Sequence, residues 1–419
     1  MKRLLPAAIL LCVFASFAIA ADNWPNWRGP TSNGVATGKG YPTSWSKTEN
    51  VLWKATLPGR GASTPAVWGD NIVLTCGVEG KNTVLCFDWT GKEHWRTTLG
   101  DEKPGKSPKA SGSNSSPVTD GKHVFVYFKT GEFAALDFDG KVVWQLNLQQ
   151  EYGEDTLWWD LGTSPVLTKN SVVVACMHSG PSYVAAFDKE TGKVLWKQDR
   201  DLGAPMEAAQ SYSTPTVISE GNLETIVVLG ADHVTAHDAK TGKELWRVGG
   251  LNPKGEKYFR SISSAVVADG LVIAPYARGD SVTAIRLGGS GDVTNSHLAW
   301  ARTEKGVGAD VPTPTVLDGK VYICSNKGNV SCLDVKTGNE IWSGQLDKNR
   351  NEYSSSPVLA DGRIYISRED GKTFVLAQDK EFKVLAENDL GGEQTVATPV
   401  LVRGRILLRT YNHLYCIGK

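Results

Sequence analysis

The chain has 419 residues, with 45 basic and 45 acidic side chains, 41% hydrophobic residues, 44 Gly, 14 Trp and 7 Cys. That length suits two or three domains or one large closed β architecture, and the composition excludes disorder and collagen. Zero net charge removes any global electrostatic argument for a nucleic-acid partner.

The first residues read as a targeting segment. Lys2 and Arg3 precede an apolar run from Leu4 to Ala20, and Ala18-Ile19-Ala20 has the small-x-small form of a cleavage site. Residues 1–20 are therefore expected to be a signal peptide. Removing them takes away two basic groups and one Cys, leaving a net charge of −2 and Cys76, Cys86, Cys176, Cys324, Cys332 and Cys416. No later stretch is long and apolar enough to span a bilayer, so the expected location is exported, periplasmic or secreted. Residues 21–49 form an N-terminal extension, and a repeat architecture occupies residues 50–419.

The repeat opens on a Ser/Thr-Pro step. It occurs at Thr64-Pro65, Ser116-Pro117, Ser164-Pro165, Thr214-Pro215, Thr313-Pro314, Ser356-Pro357 and Thr398-Pro399, with Ser264-Ala265 as the variant. From 65 to 399 the seven intervals span 334 residues, a mean near 48. Each unit continues as alternating strands separated by Gly turns and closes on a Trp, most clearly in 186–196, 236–246 and 332–342. Such a unit cannot bury both faces alone, so the units must stack. A ring of four-stranded antiparallel sheets, an all-β propeller of eight blades, is the expected fold. Trp53, Trp95, Trp144, Trp196, Trp246, Trp300 and Trp342 share one repeat position, which fits docking between blades rather than one ligand site; the seventh unit has Ala386 there. The last unit is one strand short, and residues 51–57 are expected to complete it and close the ring.

These Ala-x-Asp-x-x-Thr-Gly-Lys-x-x-Trp repeats resemble those of the pyrroloquinoline-quinone (PQQ) propellers. That family includes quinoprotein dehydrogenases and a non-catalytic branch like the outer-membrane β-barrel-assembly lipoprotein BamB. Asn23–Pro30 and Ala284–Thr294 look like an exported PQQ-like subfamily. The dehydrogenases carry a vicinal Cys pair, long insertions and a calcium site of Glu, Asn and Asp; no Cys-Cys occurs here. The resemblance thus implies an exported, non-enzymatic binding or assembly scaffold with no cofactor and no metal. Its partner is a protein or a cell-envelope polymer, with no nucleic acid. The alternatives are a PQQ-dependent dehydrogenase, needing PQQ with calcium, and an envelope carbohydrate-binding protein.

Chemistry in the strands is sparse. Asp137-Phe-Asp-Gly140 lacks calcium-loop spacing and falls on a repeat turn. His233 and His237, four apart on a strand, stand about 13 Å apart. Cys76, Cys176 and Cys324 share a second-strand position, and Cys86, Cys332 and Cys416 a third-strand one. They are either small packing residues or, for Cys76–Cys86 and Cys324–Cys332, hairpin bridges, and the turn lengths leave both open. The blade-joining loops converge on the channel mouth and supply the binding candidates: Arg60, Trp158, Trp159, Asp160, Tyr258, Arg260, Glu352, Tyr353 and Gln394. The Trp158-Trp159 pair either plugs the channel or presents aromatic faces to a ligand. Lys103, Lys106 and Lys109 lie in a Pro/Ser-rich loop and are expected to be solvated.

Overall fold

A computed structural model describes residues 23–419, so the expected signal peptide lies outside the described residues. Eight sheets follow one another around an axis, each built on four antiparallel strands, with a short fifth strand, Gly291–Asp292, added parallel to Glu244–Val248 at the outer edge of the fourth. Blade 1 comprises Ala66–Trp68, Asn71–Val78, Lys81–Phe87 and Glu93–Asp101, and blades 2 to 7 repeat that order from inner to outer strand. In blade 8, Val400–Val402, Arg405–Arg409 and His413–Ile417 are joined by Val51–Thr56 as the outer strand. The N-terminal strand thus closes the ring, as its sequence position requires.

The Ser/Thr of each opening has a specific structural use. Thr64 donates its backbone N–H to Ser116 Oγ, Ser116 to Ser164, Ser164 to Thr214 and Thr214 to Ser264, at 2.9–3.0 Å. Ser264 continues to Thr313, Thr313 to Ser356, Ser356 to Thr398, and Thr398 returns to Thr64 Oγ1 at 3.0 Å. One closed circle of eight hydrogen bonds therefore joins all blades at the axis. The variant opening Ser264-Ala265 keeps the hydroxyl and loses only the proline. Proline suits the other seven because the first residue of a strand tolerates the missing N–H.

The outer strands carry the docking tryptophans. Trp53, Trp95, Trp144, Trp196, Trp300 and Trp342 each donate Nε1–H to a carbonyl in the next blade's outer turn, at 2.8–3.0 Å. Five of these indoles lie on Gly91, Gly140, Gly192, Gly242 and Gly338, where an added Cβ would fall under 3.0 Å from the ring. Those glycines also have positive φ, so the turn and the close approach both require glycine. Across the hairpin each Trp faces a small residue: Cys416, Cys86, Ala135, Ala186, Ala236, Ala284 or Cys332. Blade 7, with Ala386 in place of Trp, has Val375 opposite. The repeat's Asp folds the same turn. Asp188, Asp238 and Asp334 each accept from the N–H and hydroxyl of the Thr three residues on, and Asp137 likewise accepts from Asp139 and Lys141 N–H.

The register resolves the cysteines. Cys76 pairs with Thr83 and Cys86 with Val73. Cys324 pairs with Val330 and Cys332 with Tyr322. The two hairpin bridges do not form, and all six described cysteines are free and buried. Burial pushes their thiols up, to about 12 for Cys86 and Cys176, as expected of small packing residues.

The N-terminal extension is more than a lead-in. Trp24 pairs with Val67 in blade 1, Val35 with Leu359 in blade 7, and Ser46 with Asp389. Between them Arg28, fully buried, donates to the carbonyls of Pro314 and Pro357 and to Thr315 Oγ1, tying blades 6 and 7 together. The segment crosses the end of the axis opposite the mouth and stops it.

A polar clasp fixes the closing strand. The Glu393 carboxylate receives Lys54 from that strand, together with Thr410, His413 and Tyr415 from blade 8, at 2.6–2.9 Å. Partial burial opposes its charge, but these donors outweigh burial and bring its pKa down to about 2.

Three outcomes follow. Trp246→Ala or Trp342→Ala should lower stability by about 3–5 kcal/mol, read from denaturant unfolding. A chain lacking residues 23–58 should lose cooperative unfolding, since it leaves a sheet edge open and removes Arg28. Because the folded pKa of Glu393 is depressed, its contribution is complete above pH about 4.5 and is lost as pH falls toward 2. Glu393→Gln should therefore flatten that limb of the stability–pH curve.

Candidate functional site

Opposite the N-terminal plug the axis opens into a cavity of about 940 Å³, lined by all eight ring hydroxyls and by residues of the blade-joining loops. Trp27, from the plug, lines both this cavity and a smaller one of about 200 Å³ between the plug and the inner strands of blades 2–5. The mouth is thus a pocket with an indole at its base.

One side of the mouth is built by three consecutive loops, 148–165, 200–214 and 249–264. Glu207, buried, organises them. It accepts from Trp159 Nε1 at 3.0 Å and from Arg278 Nη2 at 2.9 Å, and Arg260 Nε lies 3.7 Å away. Arg260 also holds Asp310 through two bonds of 2.9 and 3.1 Å, the bidentate geometry that makes guanidinium–carboxylate pairs specific. Arg278 donates to the Tyr258 carbonyl at 2.8 Å, and its backbone is strained: Ala277 and Arg278 both have positive φ, of 52° and 55°. The Trp158 ring stands 6.3 Å from that of Tyr258, and Trp158, Trp159, Tyr258 and Met206 are all 44–52% exposed. The Trp pair does not plug the channel; it edges the rim.

A strap formed by residues 102–112 crosses the other side. Lys109 reaches Glu352 at 3.0 Å and the buried Glu369 at 2.9 Å. Lys327 also binds Glu352, at 2.6 Å. Burial opposes the charge on Glu352, yet Lys327 and Lys109 hold its carboxyl below the usual range. Lys106 donates Nζ to the Leu157 carbonyl and its backbone N–H to Asp160. All three lysines are solvent-exposed, as expected, with Lys103 3.9 Å from Glu154; in addition, Lys106 and Lys109 reach protein acceptors. Their loop lies over the mouth and meets acceptors from distant blades.

Of the nine sequence candidates, Trp159, Asp160, Arg260 and Glu352 line the cavity, with Trp158 and Tyr258 at its rim. Asp160 is buried and bound to Lys129 and the Lys106 N–H. Arg60 lies over the Tyr411 ring, 4.4 Å from its centroid, and bonds the Pro108 carbonyl. Tyr353 is buried against Gly328, and Gln394 accepts the Tyr411 N–H through its carbonyl. These last three do not line the cavity. Sequence reasoning missed Trp27, Lys109, Glu207, Arg278 and Asp310; the unusual Trp-Pro-Asn-Trp-Arg start was the one available signal for the first.

Asp160, Asp310, Glu352 and Glu369 are each paired with Lys or Arg. Asp280 accepts the Gly306 N–H. No group of three or more His, Cys, Asp or Glu among the described residues is placed to hold a metal. This donor set does not fit calcium beside a quinone.

The fold and site define an eight-bladed β-propeller with a closed base and a charged, aromatic mouth. The sequence matches the family described as outer membrane protein assembly factor BamB over residues 34–181 and 157–381, and the chain belongs to that family. Among its relatives, the BamB of Yersinia pestis is 22% identical over 343 residues, covering 81% of this chain and 70% of that protein. The BamB of Salmonella typhimurium is 28% identical over 307 residues, 71% of each. Quinohemoprotein alcohol dehydrogenase of Comamonas testosteroni matches a shorter stretch of 145 residues at 25% identity, 32% of this chain and 20% of that one. Its solved structure shares the fold with TM-score 0.72 at 14% identity, covering 96% of this chain and 82% of that one. The BamB structure from Moraxella catarrhalis does so with TM-score 0.61 at 13% identity, covering 88% and 99%.

The pairing of Asp160 separates support from recognition. Asp160→Ala should cost about 1–3 kcal/mol by leaving half-buried Lys129 with only the Pro104 carbonyl as partner. Trp158→Ala, at the rim, should shift stability by less than about 1 kcal/mol, as for exposed groups. Thermal unfolding of both variants checks this contrast.

Proposed function

We propose that the protein is an exported, non-enzymatic scaffold that binds a partner at the mouth face, within the cell envelope. The observation that carries this reading is the rim. Trp158, Trp159, Tyr258 and Met206 are exposed together on loops held by buried ion pairs, beside Arg278. Aromatic, Met and Arg side chains are the residue types enriched in interface cores. The names of the BamB relatives, outer membrane protein assembly factors, support a protein partner and a place at the outer membrane. The paired carboxylates support working without a resident quinone.

The test is genetic and chemical. Loss of the gene should lower the amount of assembled outer-membrane barrel protein. The wild-type chain should restore it, and a Trp158→Ala, Trp159→Ala, Tyr258→Ala chain of equal abundance should not. The purified chain supplied with PQQ and calcium should reduce no dye in the presence of alcohols or aldoses. Turnover above that of a heat-denatured control would overturn the non-enzymatic reading, and full complementation by the triple variant would overturn the rim as the binding face.

A further inference from the structure

We infer that the mouth cavity is a blind pocket for one neutral sugar ring, stacked on Trp27 and hydrogen-bonded by the circle of hydroxyls above it. The inference rests on the mouth being a binding face, not on which partner meets the rim.

The hydroxyls come first. Each of the eight accepts a backbone N–H from the neighbouring blade, which uses one lone pair and leaves its O–H free to donate. Among the described residues none of the eight donates to a protein acceptor, and all eight line the cavity. A ring of converging donors calls for a ligand dense in oxygen acceptors. Water fills that role when no ligand is bound.

Trp27 supplies the second element. Six of the docking tryptophans have their indole N–H bonded to a carbonyl; Trp27 has no acceptor among the described residues and stays half-buried between the two cavities. The Arg28 guanidinium carbon lies 5.3 Å from its ring centroid and anchors it from the protein side. An aromatic platform within a polar wall is the arrangement that holds a sugar: its C–H face stacks and its hydroxyls bond outward.

Charge decides between a neutral and an ionic ligand. Five basic and five acidic side chains line the pocket, so it has no net sign. Lys109, Arg260, Arg278 and Lys327 are already committed to carboxylates. Apart from Lys305 and Asp280, which are exposed and outside these ion pairs among the described residues, an anionic or cationic ligand would have to break one of the pairs, whereas a neutral polyol leaves them intact.

Calorimetric titration of the chain lacking residues 1–20 tests this, with glucose, N-acetylglucosamine and their β-linked disaccharides against glucuronate and glucose 6-phosphate. The neutral sugars should bind with Kd of about 0.1–1 mM, insensitive to ionic strength, and the charged ones about tenfold more weakly. Trp27→Ala should weaken neutral-sugar binding about tenfold, and Trp27→Phe should retain most of it. No heat from any neutral sugar at about 10 mM, tighter binding of a charged analogue, or unchanged affinity in folded Trp27→Ala would overturn the inference. If Trp27→Ala does not fold, a wild-type crystal soaked with the best sugar decides. A ring over Trp27 supports the inference; ordered water alone, or a sugar elsewhere, overturns it. Complementation through the rim variants can fail while these titrations succeed, and the reverse, so the two readings fall separately.

Discussion

The structure depends on one repeated hydrogen bond: a backbone N–H from one blade to a Ser or Thr hydroxyl of the next, closed through eight members. It sets the blades at a common height, because a blade shifted along the axis would lose both its donated and its accepted bond. It is made at the inner radius of the molecule, where the eight hydroxyls line the mouth cavity. Eight bonds of about 1 kcal/mol each give modest energy, but their circularity gives register. A blade cannot slip alone. That fixes the positions from which the mouth loops depart, and so the geometry of Glu207, Arg260 and Arg278.

At the outer radius the tryptophans do complementary work. Each fills the gap between splayed sheets with an indole; five of the seven seat it on a glycine of the next blade, and six tie it down through Nε1. Most of the stabilisation is there, in buried aromatic area. The inner circle aligns and the outer wedges bind. Where the wedge is missing, in blade 7, the bulk moves across the hairpin to Val375, so the interface is filled from the other strand.

This division explains how much was legible in the sequence. Blade number, ring closure and docking tryptophans rest on residues within one 48-residue unit or on its repetition, and such local signals survive without coordinates. The Ser/Thr openings were visible as punctuation, but their purpose was not, because each partner lies some 42–52 residues away in the next unit, or 334 across the closure. The plug was invisible for the same reason: Arg28 binds carbonyls nearly 290 and 330 residues distant. Among the mouth candidates, residue type found aromatic and charged loops correctly, yet could not say which charges were already satisfied. Asp160 resembled a ligand until Lys129, from another blade, was placed beside it. Tyr353 looked like a mouth aromatic until Gly328 provided the flat surface beneath which it is buried.

The same bookkeeping of partners bears on what such a mouth can do. Propellers of this shape present eight loops to one axial space, so the fold alone permits a binding pocket or a reaction centre. What separates the two is how much of the chemistry is left unspent. A calcium site needs several bare carboxylate oxygens converging at 2.3–2.6 Å. Here Arg260, Lys109, Lys327 and Lys129 have taken those oxygens. Freeing even two of them means removing two cations and leaving buried or half-buried carboxylates exposed to one another's repulsion until a metal arrives. The ion pairs do more than neutralise: they brace the strap and the three rim loops that carry Trp158, Trp159 and Tyr258. A mouth whose charges hold its own walls is stiff, and a stiff aromatic rim loses little entropy on meeting a partner. The hydroxyl circle, by contrast, keeps donors that no part of the protein needs. Rigidity at the rim and unspent donors at the base both trace to the way each blade is joined to the next.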